Sequence, residues 1–548
     1  MYKLVGNKIM KRGIRPNQWL SAALLLGALL MSAGCRTTDK DIERWATTKN
    51  GPTKLVAVLV HDKYEPELRV DAALTLVSMK PRGGRRVGID LFTQSLGELP
   101  PEERKDLLTG VIPGLLKEIA ADPPTPKPTG ELPADSTIPF KDAAFALLHW
   151  EGKGLVQDLK QQALLKKGLI AWAMKDFSRR MDAPGQKVGM QQMLRELGAE
   201  SVAGLPRFIK PEAPKVARIA VLISEIGDVK TKVIASKQLV AVAKQVNSDA
   251  WLSEKSPVLK KANKESGLKV DDKRFALQLA QYQEEEMMRT FSSMKRIGQT
   301  PAVDYLLAFA SDTKQQEKQR AGALAALEGN IGKKTKRQIK SVISLAAEDD
   351  TPDVVRGLAL RRVGEMPRDL VIQDLYKLFS NDNWKVRWLT AELVLKMSKT
   401  EHVREFMTRL SKVKNMSISE PLRYGRLLGE LEGKATPSNL ADWYVGRRHS
   451  AAARVTALGY YYNHGNKTQL SKVETHKSDR TKVPGCTKEM KDCEWVCSGN
   501  EVETIGQYVE SCIIPAMTAR NPPAPASTTS KSATPKSTSK AVEASTKK

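Results

Sequence analysis

The sequence is poor in aromatic residues, which make up 5% of its 548 residues. Runs of alternating β-branched and aromatic residues are also scarce, which excludes a sandwich or barrel of strands as the main architecture. Hydrophobic residues still reach 41%, so there is enough apolar surface for a folded body packed through Leu, Ala and Val. The predicted class is all-α.

The chain also lacks a recognisable catalytic motif. It has six histidines, but no His-Glu-x-x-His helix, no serine elbow and no glycine-rich loop with the spacing of a nucleotide site. Its basic clusters are not interleaved with the aromatic residues that stack on bases. We therefore expect no enzyme, no cofactor or metal, and no nucleic-acid partner.

What the sequence does have is an arginine that recurs through its second half. Successive members are alternately 31 and 36 residues apart, and they are Arg289, Arg320, Arg356, Arg387, Arg423 and Arg454. In five of the six units an apolar residue lies four positions later, so that each helix would have one apolar stripe. A single pair of short helices cannot bury such a stripe. The repeat therefore predicts helical hairpins that stack on one another.

Two consecutive units, residues 349–360 and 381–391, resemble the HEAT-repeat family. In that family an acidic turn residue and the arginine after it form a ladder between adjacent repeats. The resemblance implies two such pairs here, Asp353 with Arg356 and Asp382 with Arg387. It also implies a HEAT-like α-solenoid that presents its surfaces to protein partners.

The first 35 residues are typical of an export signal. An apolar run of about 15 residues follows a basic start, and it is shorter than the ~20 residues that span a bilayer. The run ends at Ser32-Ala33-Gly34-Cys35, which resembles the lipobox of bacterial lipoproteins. The resemblance implies that Cys35 is acylated and becomes the mature N-terminus, and that Arg36 after it favours the outer membrane. The alternatives are an ordinary cleaved signal and an uncleaved anchor.

The formal net charge of +26 predicts attraction to polyanions over roughly 8 to 10 Å. Arginines and backbone amides beside glycines can hold phosphate. Two basic clusters at predicted turns are candidates for this role: Arg82, Arg85 and Arg86 in one, and Lys333, Lys334, Lys336 and Arg337 in the other. A further lysine-rich stretch, 255–269, is predicted to be a solvated face. In an envelope the accessible polyanions would be lipopolysaccharide, acidic phospholipid and peptidoglycan.

Four of the five cysteines fall in one turn-rich segment near the C-terminus. In an exported chain they indicate two disulfides, and three pairings are possible. The preferred one joins Cys486 to Cys493 and Cys497 to Cys512. The segment would then be a cap on the end of the repeat array. A zinc site is the alternative, although the cysteine spacing does not match known zinc knuckles.

These features predict seven segments. They are a signal peptide (1–34), N-terminal helical repeats (35–120), a proline-rich loop (121–140), divergent repeats (141–285), HEAT-like repeats (286–475), a cysteine-containing cap (476–520) and a disordered tail (521–548). The predicted function is a non-enzymatic scaffold for envelope proteins, held to the membrane by N-terminal acyl chains. The alternatives are a binder of envelope polyanions and an enzyme with zinc in the cysteine segment.

Overall fold

A computed structural model describes residues 37–81, 86–125, 133–331, 336–348, 350–379, 381, 383–486 and 494–521. Within these ranges nearly all regular structure is helical, which confirms the all-α class. The one sheet in them is a short antiparallel ladder of β1 (Val496–Cys497) and β2 (Asn500–Glu501). The predicted export signal with Cys35 lies outside the described residues, and so does the predicted tail after Asn521. The chain divides into two compact units, Met1–Gln245 and Val246–Lys548.

The first unit is a series of helices that pack mainly against their neighbours in the chain. They are α1 (Asp39–Trp45), α2 (Gly51–Val60), α3 (Pro66–Ser78), α4 (Val87–Glu98), α5 (Pro101–Ile119), α6 (Ile138–His149), α7 (Leu159–Lys175), α8 (Phe177–Arg180), α9 (Met190–Leu197), α10 (Val216–Ile226) and α11 (Val229–Val246). The predicted proline-rich loop falls between α5 and α6. Pro139 lies in the first turn of α6, where its missing N–H has no intrahelical partner to lose.

The second unit continues with helices of similar length, apart from one long helix near its start. They are α12 (Asp249–Glu265), α13 (Asp272–Ile297), α14 (Thr300–Ser311), α15 (Glu317–Ala326), α16 (Lys336–Ala347), α17 (Asp353–Gly364), α18 (Arg368–Leu378), α19 (Trp384–Lys396), α20 (Val403–Leu410), α21 (Ser419–Gly429), α22 (Pro437–Tyr444), α23 (Ala451–His464) and α24 (Lys467–Glu474). Short 3₁₀ turns, such as Thr400–His402, join some of them.

The six repeat arginines lie on alternate helices of this unit, α13, α15, α17, α19, α21 and α23. Each of these helices packs against the next of the series, and α15, α17 and α19 also pack against the helix just before them. The stripe residues are buried, as the repeat predicts: Ala323, Leu324, Ala359, Leu360, Ala391, Leu427, Ala457 and Leu458. The second unit is therefore a stack of helical hairpins, which confirms the HEAT-like architecture.

Two glycines bring α21 and α23 into direct backbone contact. A Cβ atom built on Gly459 would lie 2.1 Å from the carbonyl oxygen of Pro421. One built on Gly425 would lie 2.1 Å from the carbonyl carbon of Gly459. Since real Cβ atoms do not approach so closely, this pair of helices requires glycine at the crossing point.

The C-terminal segment covers the end of the stack. Helix α25 (Ile505–Tyr508) continues through a π turn (Val509–Ile513) into α26 (Ile514–Arg520), and these elements pack on α23 and α24. Ile505, Tyr508, Val509 and Ile513 are fully buried there. A disulfide joins Cys497 to Cys512, whose Cα atoms are 5.5 Å apart, which confirms the disulfide-stapled cap. Cys486 is also disulfide-bonded, while Cys493 lies outside the described residues.

Candidate interaction surfaces

The repeat arginines first serve the fold, because several cap the end of the preceding helix. Arg320 donates from Nε to the carbonyl of Ala310 at 2.8 Å, and Arg356 donates from Nη1 to the carbonyl of Ala346 at 2.8 Å. Carbonyls in the last turn of a helix have no intrahelical donor, and they form the negative end of its dipole. Each buried guanidinium therefore fixes one helix of a hairpin against the other.

The same contact occurs in the first unit. Arg69 on α3 donates from Nε to the carbonyl of Leu59 in α2 at 2.9 Å, and it also pairs with Glu103 at 2.7 Å. The distance along the chain from arginine to carbonyl is ten residues, as it is for Arg320 and Arg356. The early hairpin therefore uses the arginine contact of the later repeats.

Charged side chains also connect adjacent repeats, but with partners that the sequence did not reveal. The carboxylate of Asp353 on α17 accepts from Lys385 on α19 at 2.6 Å. Arg387 on α19 lies 3.6 Å from Glu420 on α21. Arg356 donates hydrogen bonds to the backbone carbonyls of Ala346 and Thr351, and Asp382 lies outside the described residues.

These partners are separated by 32 and 33 residues, which is about one repeat. That spacing is the one sequence signal that could have found them. The contacts join one arginine-bearing helix to the next, so they hold neighbouring hairpins together rather than form a reactive site.

In the last repeat the acidic partner of the arginine comes from the C-terminal cap. The turn before Arg454 contains no acidic residue, and the structure instead places the carboxylate of Asp479 against its guanidinium. Arg454 also donates to the carbonyl of Val445 at 3.0 Å and to the Thr481 hydroxyl at 3.1 Å. Burial raises the pKa of Asp479, but hydrogen bonds from Arg454 and from the backbone N–H of Thr481 outweigh it and lower the pKa to about 2.

This pair makes the stability of the cap depend on pH. An aspartate in an unfolded chain titrates near ~3.9, above the pKa of folded Asp479. The charged pair therefore contributes fully above about pH 4, and the contribution of about 2 kcal/mol is lost as the pH falls towards 2. We expect the difference in unfolding free energy between the wild-type chain and Asp479→Asn to shrink across this range. Urea unfolding at stepped pH measures it, and a difference that stays constant would contradict the assignment.

The two predicted anion-binding clusters are only partly described. Arg82, Arg85, Lys333 and Lys334 lie outside the described residues. Arg86 donates from Nε to the carbonyl of Gly185 at 3.0 Å. Lys336 is the first residue of α16, and Arg337 beside it lies 3.4 Å from Asp304. Two of the three described cations therefore have partners within the protein, and anion binding at these clusters stays a prediction.

An exposed tryptophan lies at the corner between α22 and α23. Trp443 is 55% exposed, and the guanidinium carbon of Arg448 lies 3.4 Å from the centroid of its ring. A cavity of about 580 Å³ opens at this corner, which we call the Trp443 corner, and its lining is Asn439, Asp442, Trp443, Gly446, Arg447 and Arg448. Lys472 lies 2.6 Å from Asp442, so the two arginines give the corner a positive charge. No pattern in the sequence indicated this group of residues.

A second surface is the repeat groove, which lies between α17 and α19. Its cavity has a volume of about 470 Å³, and its apolar lining includes Val354, Leu358, Leu389 and Leu393. Val354 is 57% exposed, and a Cβ atom on Gly357 would contact nothing within 4 Å. Asp353, Arg361, Glu392 and Lys396 provide charges of both signs at its edge. An apolar groove with a charged edge is typical of sites that receive a helix.

The described ranges contain no group of three His, Cys, Asp or Glu side chains that could hold a metal ion. Since Cys497 and Cys512 are bonded to each other, neither has a thiol for the alternative zinc site. No helix in the described part of the chain combines the length and apolarity needed to cross a bilayer.

The chain was compared with family models, with curated proteins and with solved structures. No family model and no curated protein matches the chain. Seven chains among solved structures match, and one is the crystal structure of a Kap121p mutant, at 12% sequence identity and a TM-score of 0.23 over 84% of this chain. The match covers 51% of that chain, so this protein spans about half its length.

Proposed function

We propose that this chain is a lipid-anchored scaffold of the bacterial cell envelope, and that its second unit binds protein partners. The observation that most supports the binding of protein partners is the Trp443 corner. Tryptophan and arginine dominate the energetics of protein interfaces, and a few such residues commonly provide most of the binding energy. Burying a half-exposed ring beneath a partner would also remove a large apolar area from water.

The arginines at the corner indicate the chemistry of the partner. Stacking on Trp443 holds the guanidinium of Arg448 in a fixed plane, and its Nε donates to His449 at 3.2 Å. The other N–H groups of a guanidinium can bind a carboxylate with two parallel hydrogen bonds. The corner therefore suits a protein surface that presents an acidic side chain beside an apolar one.

Trp443→Ala should weaken binding of the full chain to its partner by roughly 30-fold, the effect expected of a hot-spot tryptophan. The thermal unfolding midpoint should hardly change, because the side chain is more than half exposed. Affinity recovery from crosslinked cells would identify the partner, and calorimetry would then compare the dissociation constants. Lys412→Ala truncates an exposed side chain elsewhere in this unit and serves as the control. Equal affinities of the wild-type chain and Trp443→Ala would contradict the proposal.

The membrane anchor is a separate part of the proposal, supported by the likeness of Ser32-Ala33-Gly34-Cys35 to a lipobox. Two or more acyl chains anchor a protein stably to a bilayer, whereas a single chain binds only weakly and reversibly. Mass spectrometry of the mature N-terminal peptide should therefore find Cys35 as the first residue with acyl chains attached. Cys35→Ser should release the chain from the membrane fraction or leave its signal uncleaved. An unmodified Cys35 in the mature chain would contradict the anchor and leave the docking proposal standing.

A further inference from the structure

The hairpin of α12 and α13 extends beyond the packed part of the second unit. From residue 252 to residue 285 the only buried side chain is that of Asn263. Most other helices of this unit bury several apolar side chains, whereas the distal half of this hairpin fully buries none. The two helices therefore form an arm with most of its surface in water.

Polar contacts join the two helices of the arm, whereas Leu252, Leu259 and Leu279 are only half-buried. Asn263 and Gln278 exchange two hydrogen bonds between their amides, at 2.8 and 3.2 Å. At the tip, Gly267 adopts a positive φ of 69°, and the N–H of Leu268 reaches the carbonyl of Asn263 at 2.9 Å. This is the pattern of a Schellman cap, which ends α12 at a defined residue. The arm is thus an ordered hairpin that leaves three of its large apolar side chains exposed.

Three of the twelve large apolar side chains that are exposed in the described chain lie on this arm. Val258 is 57%, Leu268 is 59% and Leu277 is 65% exposed. Ala262 is also exposed, one helical turn beyond Val258, so it continues the apolar face of α12. Single exposed apolar residues are ordinary, but a group on an arm without a core is a candidate contact surface.

The outer part of the arm is basic, whereas its base carries Glu284 and Glu285. Residues 254–274 include seven lysines and arginines but only four acidic side chains. Three of the acids are already paired nearby: Glu254 with Lys255 at 2.9 Å, Glu265 with Lys261 at 3.9 Å, and Asp271 with Arg274 at 3.5 Å. The ammonium group of Lys260 lies 5.1 Å from the ring centroid of Phe275. The exposed apolar side chains are therefore surrounded by an excess of positive charge.

We infer that this arm is the docking site for an acidic amphipathic helix of a partner protein. The partner's apolar side chains would cover Val258 and Leu277, and its carboxylates would meet the lysines at the edges. Opposite charges on the two surfaces would speed their encounter and favour acidic partners. The arm is separate from the Trp443 corner and from the lipid anchor, so its role in docking depends on neither of them.

Charge argues against two other occupants of the arm, a second copy of the chain and the chain's own C-terminal segment. A second copy of the chain would bring a surface of the same sign, and the chain's own C-terminal segment, 522–548, has five lysines and one acid. A lipid surface would meet the arm at its tip. It would leave Val258 and Leu277 uncovered, because they lie further along the helices.

The test places a photo-crosslinking amino acid at position 258 or 277 of the full chain in cells that make it natively. Position 276 is the matched control, because Ala276 is exposed beside Leu277 but turned about 100° around the helix. We expect adducts from positions 258 and 277, and few from 276. Mass spectrometry of these adducts should map them to a partner segment with a net negative charge and apolar residues three and four positions apart.

A synthetic peptide of that segment then measures the affinity of the full chain. Val258→Glu and Leu277→Glu should each weaken binding by about 10-fold or more, whereas Ala276→Glu should change it less than about threefold. Adducts with lipid alone, with a second copy of the chain or with a basic segment would overturn the inference. So would equal crosslinking from all three positions. Circular dichroism of each variant verifies that the arm is still folded.

Discussion

Gly459→Ala is expected to lower the unfolding free energy of the second unit by about 3 kcal/mol or more, the upper end of the cost of overpacking. A methyl group at this position would meet the Pro421 carbonyl oxygen at 2.1 Å. Because that atom belongs to the backbone, no side chain can turn aside, and α21 and α23 must separate. Urea unfolding of the full chain, followed by the circular dichroism of its helices, measures the loss.

Gly357→Ala is the matched control for this prediction. Gly357 also lies within a helix, but its added methyl group would have no neighbour within 4 Å. Alanine favours a helix over glycine by about 1 kcal/mol, so this variant should be as stable as the wild-type chain or more so. Opposite signs for the two substitutions would confirm the close approach of α21 and α23. Similar effects would mean that these helices do not touch as described.

The second large effect is expected from Arg356→Met, which retains much of the side-chain length but loses the guanidinium. Arg356 is 1% exposed and donates to the carbonyls of Ala346 and Thr351, at 2.8 and 3.0 Å. Both buried carbonyls would then lack these donors. Leaving a buried carbonyl without its hydrogen bond costs about 1 to 3 kcal/mol of unfolding free energy. We therefore expect a loss of about 3 kcal/mol, with amide exchange rising first in α16 and α17.

Arg361→Met is the control that tests whether the loss of stability in Arg356→Met depends on the burial of Arg356. Arg361 is on the same helix and is exposed, so its replacement should change stability by less than about 0.5 kcal/mol. If the two variants were equally stable, the repeat arginines would not act as helix caps. The regular spacing in the sequence would then need another physical reason.

The stack of hairpins could be predicted because its cause is local and periodic. An arginine such as Arg356 and an apolar residue four positions later recur at the period of one hairpin. Arg320 and Arg356 each reach back to a carbonyl ten residues earlier, at Ala310 and Ala346, so this contact lies within the repeated unit itself. Any contact contained in one unit recurs with the period and is visible in a single sequence.

The partners between repeats could not be predicted in the same way. Asp353 meets Lys385 because of how far α17 and α19 are offset and rotated, and the sequence pattern does not specify either quantity. The pairing of Arg454 with Asp479 depends on the path of the cap after α24. Both contacts join separate elements, so only the packed structure identifies them.

The Trp443 corner and the arm could not be predicted from the sequence for a related reason. The sequence predicts lysines 255–269 to be a solvated face, and the exposed lysines of α12 fit that prediction. It gives no sign that Leu277 also faces water, because an apolar residue on a helix normally indicates a buried side. Trp443 is similar, since its exposure depends on how α22 meets α23 and on the position of Arg448.

The most direct test of the scaffold proposal is affinity recovery of the full chain from cells, without crosslinking, at two salt concentrations. At roughly 1 M salt, exposed charges are screened beyond about 3 Å, whereas buried apolar contacts persist. The proposal predicts a defined set of envelope proteins that is kept at high salt and depleted by Trp443→Ala. Recovery of only glycan or lipid, lost when the salt is raised, would contradict it and make the chain a binder of polyanions.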